Sequence, residues 1–199
     1  LEGWVLQQKV IRLVQESLKV KERFFRENLD AITEVAHLIA KVLRRGNKIL
    51  IFGNGGSAAD AQHIAAEFVN RYLIDRAPLP AIALTTDTSI LTSISNDADF
   101  SLVFARQIEA LGRKDDIAWG ISTSGKSPNV IKGLRKAKEM EMVTIAFTGQ
   151  DGGEVLRIAD YGLNVDSPSI PRIQETHITL GHIICELVEE ELFHSGRWG

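Results

Sequence analysis

Short apolar runs alternate along the chain with stretches of helical spacing. Lys48-Ile49-Leu50-Ile51-Phe52-Gly53 is apolar at consecutive positions, the mark of a strand covered on both faces. Further runs of the same kind fall at 80–84, 116–121, 142–147 and 161–165. Between them the apolar positions recur at helical intervals over 58–73, 128–139 and 173–193. Helices are also predicted over 89–95 and 101–111, on either side of an Asn96-Asp97 turn. Two further helical stretches precede the first strand. Residues 4–26 carry Val10, Ile11, Leu13, Val14, Leu18, Phe24 and Phe25, and residues 28–45 carry Ile32, Val35, Ala36, Ile39 and Val42 before Gly46-Asn47 stops them. The alternation predicts an α/β fold, a three-layer α-β-α sandwich around a central parallel five-stranded sheet. The two N-terminal helices have no strand of their own. They are expected to lie across the domain or to pair with another subunit.

Composition changes this picture little. The 199 residues are 44% hydrophobic and 25% charged, enough for one compact domain with a sizeable core. A formal charge of −3 argues against nucleic acid as the main partner. No apolar run is long enough to cross a membrane as a helix. The single cysteine, Cys185, stands in an apolar helical stretch and reads as a buried small hydrophobe, compatible with a cytoplasmic setting.

The candidate chemistry begins in two Gly/Ser-rich loops at strand ends. Gly53-Asn54-Gly55-Gly56-Ser57 turns from strand to helix, where glycines permit positive φ and a helix start directs amides at an anion. A plain tight turn is the alternative. The second loop, Ser122-Thr123-Ser124-Gly125-Lys126-Ser127, brings four hydroxyls within six positions, more than capping requires. Ser127-Pro128 fits an N-cap with proline at the first helical position, so capping by itself accounts for Ser127. Neither loop carries the spacing of a P-loop or a dinucleotide fingerprint. Together they point to a phosphorylated small molecule, bound outside the carboxyl ends of the strands.

Acid–base groups lie on two helices. His63 and Glu67 are four residues apart on one face. Gln174 and His182 are eight apart on the last helix, with directions roughly 80° apart, and can flank one broad face. His177 falls roughly 140° from His182 and is the poorer partner. Glu175 belongs on another face. The four residues could form a metal cluster, since zinc accepts imidazole nitrogen and carboxylate oxygen. The alternative is an ordinary packing contact for His63 and a satisfied core histidine at position 182. His37 reads as structural and His194 as solvent-facing. A carboxylate and an imidazole are also what a carbonyl shift between C1 and C2 of a sugar phosphate requires.

At these residues the chain resembles a known family. Gly53-Asn54-Gly55-Gly56-Ser57 with Asp60, His63 and Glu67 is similar to the first motif of bacterial phosphoheptose isomerases, members of the sugar isomerase (SIS) domain superfamily. Residues 120–130 resemble their second motif, and Arg172-Ile173-Gln174-Glu175-Thr176-His177-Ile178 with His182 their third. The resemblance spans about 5–193. It implies a single flavodoxin- or Rossmann-like SIS domain over 1–199, with 1–45 as a helical oligomerisation region extending into a tetramer bundle. It implies conversion of sedoheptulose 7-phosphate to D-glycero-D-manno-heptose 7-phosphate, supplying heptose for lipopolysaccharide core or other glycoconjugates. Glu67 and His182 match the catalytic pair. His63, Glu67, Gln174 and His182 match the ligands of one Zn2+ per subunit. Asn54, Gly55, Ser57, Glu67, Arg71, Asn96, Asp97, Ser122, Thr123, Ser124, Ser127 and Gln174 are the substrate-binding candidates. Many members carry histidine where this chain has Ala58. Two other functions fit the same architecture: an SIS isomerase for a different sugar phosphate, and a non-catalytic tetramer binding the replication initiator DnaA. Retention of Glu67, Gln174 and His182 favours the enzyme.

Overall fold

In the computed structural model, which describes residues 2–193, five parallel strands form one sheet in the order β2-β1-β3-β4-β5. The strands are β1 (Ile49–Gly53), β2 (Ala81–Ala83), β3 (Ile117–Ser122), β4 (Val143–Gly149) and β5 (Tyr161–Val165). Eight helices accompany them: α1 (Glu2–Glu27), α2 (Leu29–Arg44), α3 (Gly56–Val69), α4 (Thr88–Asp97), α5 (Val103–Leu111), α6 (Pro128–Glu139), α7 (Gly153–Ile158) and α8 (Ile170–Phe193). Alternate residues of each strand project to opposite faces, so an all-apolar strand feeds two cores. Ile49, Ile51, Trp119 and Phe147 pack with α2, α3 and α8. Leu50, Phe52, Ala118 and Ala146 pack with α5, α6 and α7. These are the three predicted layers.

The two N-terminal helices behave differently. α2 is a core helix, with Ile32, Val35, Ala36, Ile39 and Ala40 buried. α1 runs beside α8 and exposes Trp4, Val5, Leu6, Val10, Ile11, Val14 and Leu18. Three expectations shift. Asn96 and Asp97 end α4 rather than forming a turn between helices. α3 stops at Val69, so the residues beyond it, where helical spacing was read to 73, are loop. α7, a helix of one and a half turns, was too short for periodicity to show. Cys185 is buried as expected, and burial pushes its thiol pKa up. His37 is exposed and pairs with Glu191 at 3.2 Å. His194 lies outside the described residues. Among those residues no helix is long and apolar enough to cross a membrane.

Candidate active site

The sheet changes direction at β1, which pairs with β2 on one edge and β3 on the other. Such a switch point opens a crevice at the strand ends. Gly53 pairs in register with Ile121, so the two loops leave the sheet side by side. Gly55, at φ 55°, makes the turn into α3. Ser57 is buried, and its hydroxyl donates to Gln174 Oε1 at 3.4 Å.

In the second loop Gly125 holds φ 65° and packs on the backbone of Gly152 and Gly153, where a side chain would collide. Ser122 and Ser127 share a hydroxyl–hydroxyl bond of 3.0 Å. Ser124 Oγ accepts from the Lys126 amide at 3.2 Å, and Thr123 is half-buried beside it. Ser127 occupies the N-cap position of α6, with Pro128 after it, but its side chain makes no capping bond. The capping expectation is corrected: the Ser127 hydroxyl turns to Ser122, and both face the loop. The loops are joined by Asn54 and Asn129, whose amides hydrogen-bond each other twice.

α3 and α8 bring the acid–base residues together. Glu67 Oε1 lies 3.1 Å from His63 Nε2, and His182 Nε2 lies 3.2 Å from the same nitrogen. One ligand atom from each of the three falls within 4.8 Å of the others. Two facing imidazole nitrogens satisfy each other only when one carries a proton and the other does not, and a cation can take that proton's place. Ligands on a tetrahedral zinc at about 2.0 Å sit about 3.3 Å apart, close to the 3.1 and 3.2 Å at which Glu67 and His182 approach His63. Two nitrogens and a carboxylate oxygen therefore fit a divalent cation. Tyr72, in the loop after α3, stacks on the His182 ring with centroids 5.7 Å apart. Burial and then the carboxylate of Glu186 push its phenol pKa up.

Gln174 sits against the first loop. Its amide nitrogen donates to Asp60 Oδ2 while its oxygen faces Ser57. Burial pushes the Asp60 carboxyl up to about 6, although the Gln174 bond and nearby His63 pull the other way. His177 points away from the site, as its spacing predicts. It is fully buried and bonded through Nε2 to the Thr148 carbonyl at 2.8 Å. Glu175 is on another face, held by Ser17 and Arg172. Arg71, Asn96 and Asp97 are exposed, and Asn96 donates to Asp97 at 2.9 Å. Among the described residues no hydrogen bond draws these three into the loop cluster.

Three contributors were given no role in the sequence reading of the site, although Asp60 and Asn129 fall within its first two motifs. Asp60 carried a signal, since it lies three residues before His63 on the same helix face. Asn129 stands directly after Ser127-Pro128. Tyr72 carried none, because only tertiary packing places it on His182.

The arrangement has close counterparts. The model of the SIS domain matches residues 13–149. The phosphoheptose isomerase of Thermodesulfovibrio yellowstonii is 57% identical over 188 residues, covering 94% of each chain. The solved phosphoheptose isomerase of Neisseria gonorrhoeae superposes with a TM-score of 0.88 at 44% identity, over 93% of this chain and 99% of that one. That of Francisella tularensis does so with a TM-score of 0.89 at 36% identity, over 92% and 98%. With the switch-point loops and the His63–Glu67–His182 cluster in place, this degree of likeness along nearly the whole chain means that it belongs to the phosphoheptose isomerase family of SIS domain proteins.

Proposed function

We propose that the chain is an aldose–ketose isomerase that converts D-sedoheptulose 7-phosphate to D-glycero-D-manno-heptose 7-phosphate, in heptose precursor biosynthesis. The observation that carries this reading is the meeting of Glu67 with two imidazoles from facing helices, beside a loop rich in hydroxyls. The phosphate is held by Ser57, Ser122, Thr123, Ser124 and Ser127. The sugar is lined by Asn54, Gly55, Gln174, Arg71, Asn96 and Asp97.

Glu67 removes a proton from C1 of the ketose. The C–H electron pair becomes the C1–C2 double bond of an enediol, and the C2 oxygen takes a proton from His182 through Nδ1, since Nε2 faces the cluster. In the second half His182 accepts the C1 hydroxyl proton, the C1 carbonyl forms, and Glu67 returns its proton to C2. Glu67 Oε1 faces His63, which leaves the second oxygen for carbon. His63, Glu67 and His182 would hold one Zn2+ per subunit, and Gln174, expected as the fourth ligand, would join them by turning its amide oxygen from Ser57. When bound, that ion supplies positive charge to the sugar oxygens as the enediolate develops.

The exposed apolar side of α1 supports assembly into a homotetramer through that helix. Light scattering at four times the 22.0 kDa chain mass is the expected result. A folded non-catalytic tetramer would have no use for the convergent Glu67, His63 and His182.

The first test is incubation of Zn2+-replete protein with sedoheptulose 7-phosphate, followed by NMR. Appearance of the aldose signal is expected. No product from folded, metal-replete protein would move the substrate to another sugar phosphate or the function to binding.

A further inference from the structure

Behind the site lies a buried ion pair that the reaction does not use. Arg76 Nε and Glu189 Oε2 are 2.7 Å apart, with side chains only 2% and 3% exposed. A buried pair is a weak source of stability, because desolvation offsets most of the attraction. This one is fully bonded. Glu189 accepts the amide N–H of Tyr72 at 3.1 Å, of Leu73 at 2.8 Å and of Ile74 at 2.9 Å. Arg76 donates to the Glu67 carbonyl at 2.8 Å and to the carbonyls of Phe68 and Ala77 at 3.0 Å each. Burial pushes the Glu189 carboxyl up, but its backbone donors and Arg76 outweigh that and hold it below its ordinary value.

Each end of this network reaches a residue of the site. Glu67 and Phe68 stand in the last turn of α3, where carbonyls lack helical partners, and the guanidinium satisfies them. Tyr72, whose amide Glu189 holds, stacks on His182. Glu189 itself follows His182 by seven residues on α8, which places both near one face, about 20° apart. One ion pair thus grips the backbone of Glu67, the loop carrying Tyr72 and the helix carrying His182.

We infer that Arg76 and Glu189 are positioning residues, which set the separation of Glu67 from His182 by clamping the end of α3 and the Tyr72 loop to α8. The inference rests on the isomerase reading above. Sites of this kind tolerate misplacement of about 0.5 Å, so supporting contacts tune affinity and rate without touching substrate.

The test uses the full chain and two variants of similar size, Glu189→Gln and Arg76→Lys. Turnover of sedoheptulose 7-phosphate is measured as kcat and KM separately, Zn2+ affinity by competition with a chromophoric chelator, and folding by thermal melting. Glu189→Gln is expected to lower kcat and weaken Zn2+ each by about tenfold, with KM within about threefold. Arg76→Lys keeps the charge but not the planar fork, so a smaller loss in the same direction is expected. A folded variant that melts earlier yet keeps its kcat and Zn2+ affinity overturns the inference. Should neither variant fold, Glu189→Asp keeps the charge beside Arg76 but shortens its reach by one methylene, and the same readouts apply. Weaker Zn2+ binding and lower kcat in that variant support the inference, and unchanged values overturn it. If the wild-type chain gave no turnover, the isomerase reading would fall, and Zn2+ affinity would still decide the positioning role.

Discussion

Asn54 and Asn129 exchange side-chain hydrogen bonds of 2.9 and 2.8 Å, tying the first glycine loop to the start of α6. The pair spans 75 positions of sequence, and Asn129 is 2% exposed. Removing one amide leaves the other without its partner. Asn129→Ala is expected to destabilise the fold by about 1–3 kcal/mol. It should also raise KM for the sugar phosphate several-fold, because Asn54 loses its orientation. Urea melts and steady-state kinetics check both, and an unchanged KM would assign the pair to folding alone.

Glu67 is half-buried and His182 faces it across the α3–α8 junction. Acid–base groups of this type contribute about 10²–10⁴-fold. Glu67→Gln keeps the volume and removes the base, so kcat is expected to fall by at least about a hundredfold with the fold intact. Exchange of the C1 hydrogen with deuterated solvent, followed by NMR, should stop as well. Continued exchange in the folded variant would place the base elsewhere.

His63 is 47% exposed on its side chain, so its loss should disturb packing little. His63→Ala is expected to leave the melting temperature of the metal-free protein nearly unchanged and to weaken Zn2+ by about tenfold or more. In the wild-type chain, chelation should abolish turnover and added Zn2+ should restore it. Turnover that survives complete chelation would leave the cluster a purely protonic device.

His177 gives a pH signature of stability that is separate from catalysis. Burial lowers its pKa from 6.5 to about 4, and its bond to the Thr148 carbonyl only partly opposes this. Between those values the unfolded chain takes up a proton that the native chain refuses. Stability is therefore complete above pH 6.5 and falls as the pH drops towards 4, by up to about 3 kcal/mol at about 1.4 kcal/mol per pH step. Asp60, whose carboxyl is pushed up to about 6, takes up a proton within the fold over part of the same range and acts in the opposite direction. The comparison is therefore made in an Asp60→Asn background, where His177→Gln should flatten the urea-midpoint profile between pH 6.5 and 5. A profile already flat there in the Asp60→Asn parent would mean that the imidazole protonates within the fold.

Local signals were read accurately where short-range rules govern. β5 and α6 fall on their predicted bounds, and the other strands lie within about two residues of theirs. α7 was missed because six residues give no helical period to detect. The capping of Ser127 followed from its neighbours, and the real partner, Ser122, was visible in the loop but not predictable as a bond. Arg71, Asn96 and Asp97 were expected near the sugar, and the single chain leaves them exposed.

The sequence by itself determined the alternation of strands and helices, the two hydroxyl-bearing loops and the pairing of His63 with Glu67. Side-chain periods and i,i+4 spacing are set by the backbone within a few residues. Only the tertiary structure decided that His182 meets His63 across 119 positions, that Gln174 turns its amide to Asp60, and that Arg76 and Glu189 clamp the site from behind. It also separated α2, buried on the sheet, from α1, whose apolar face stays open. Those outcomes depend on how α3 and α8 pack on one face of the open sheet, where positions far apart in the chain come within hydrogen-bond range and no local pattern records the distance.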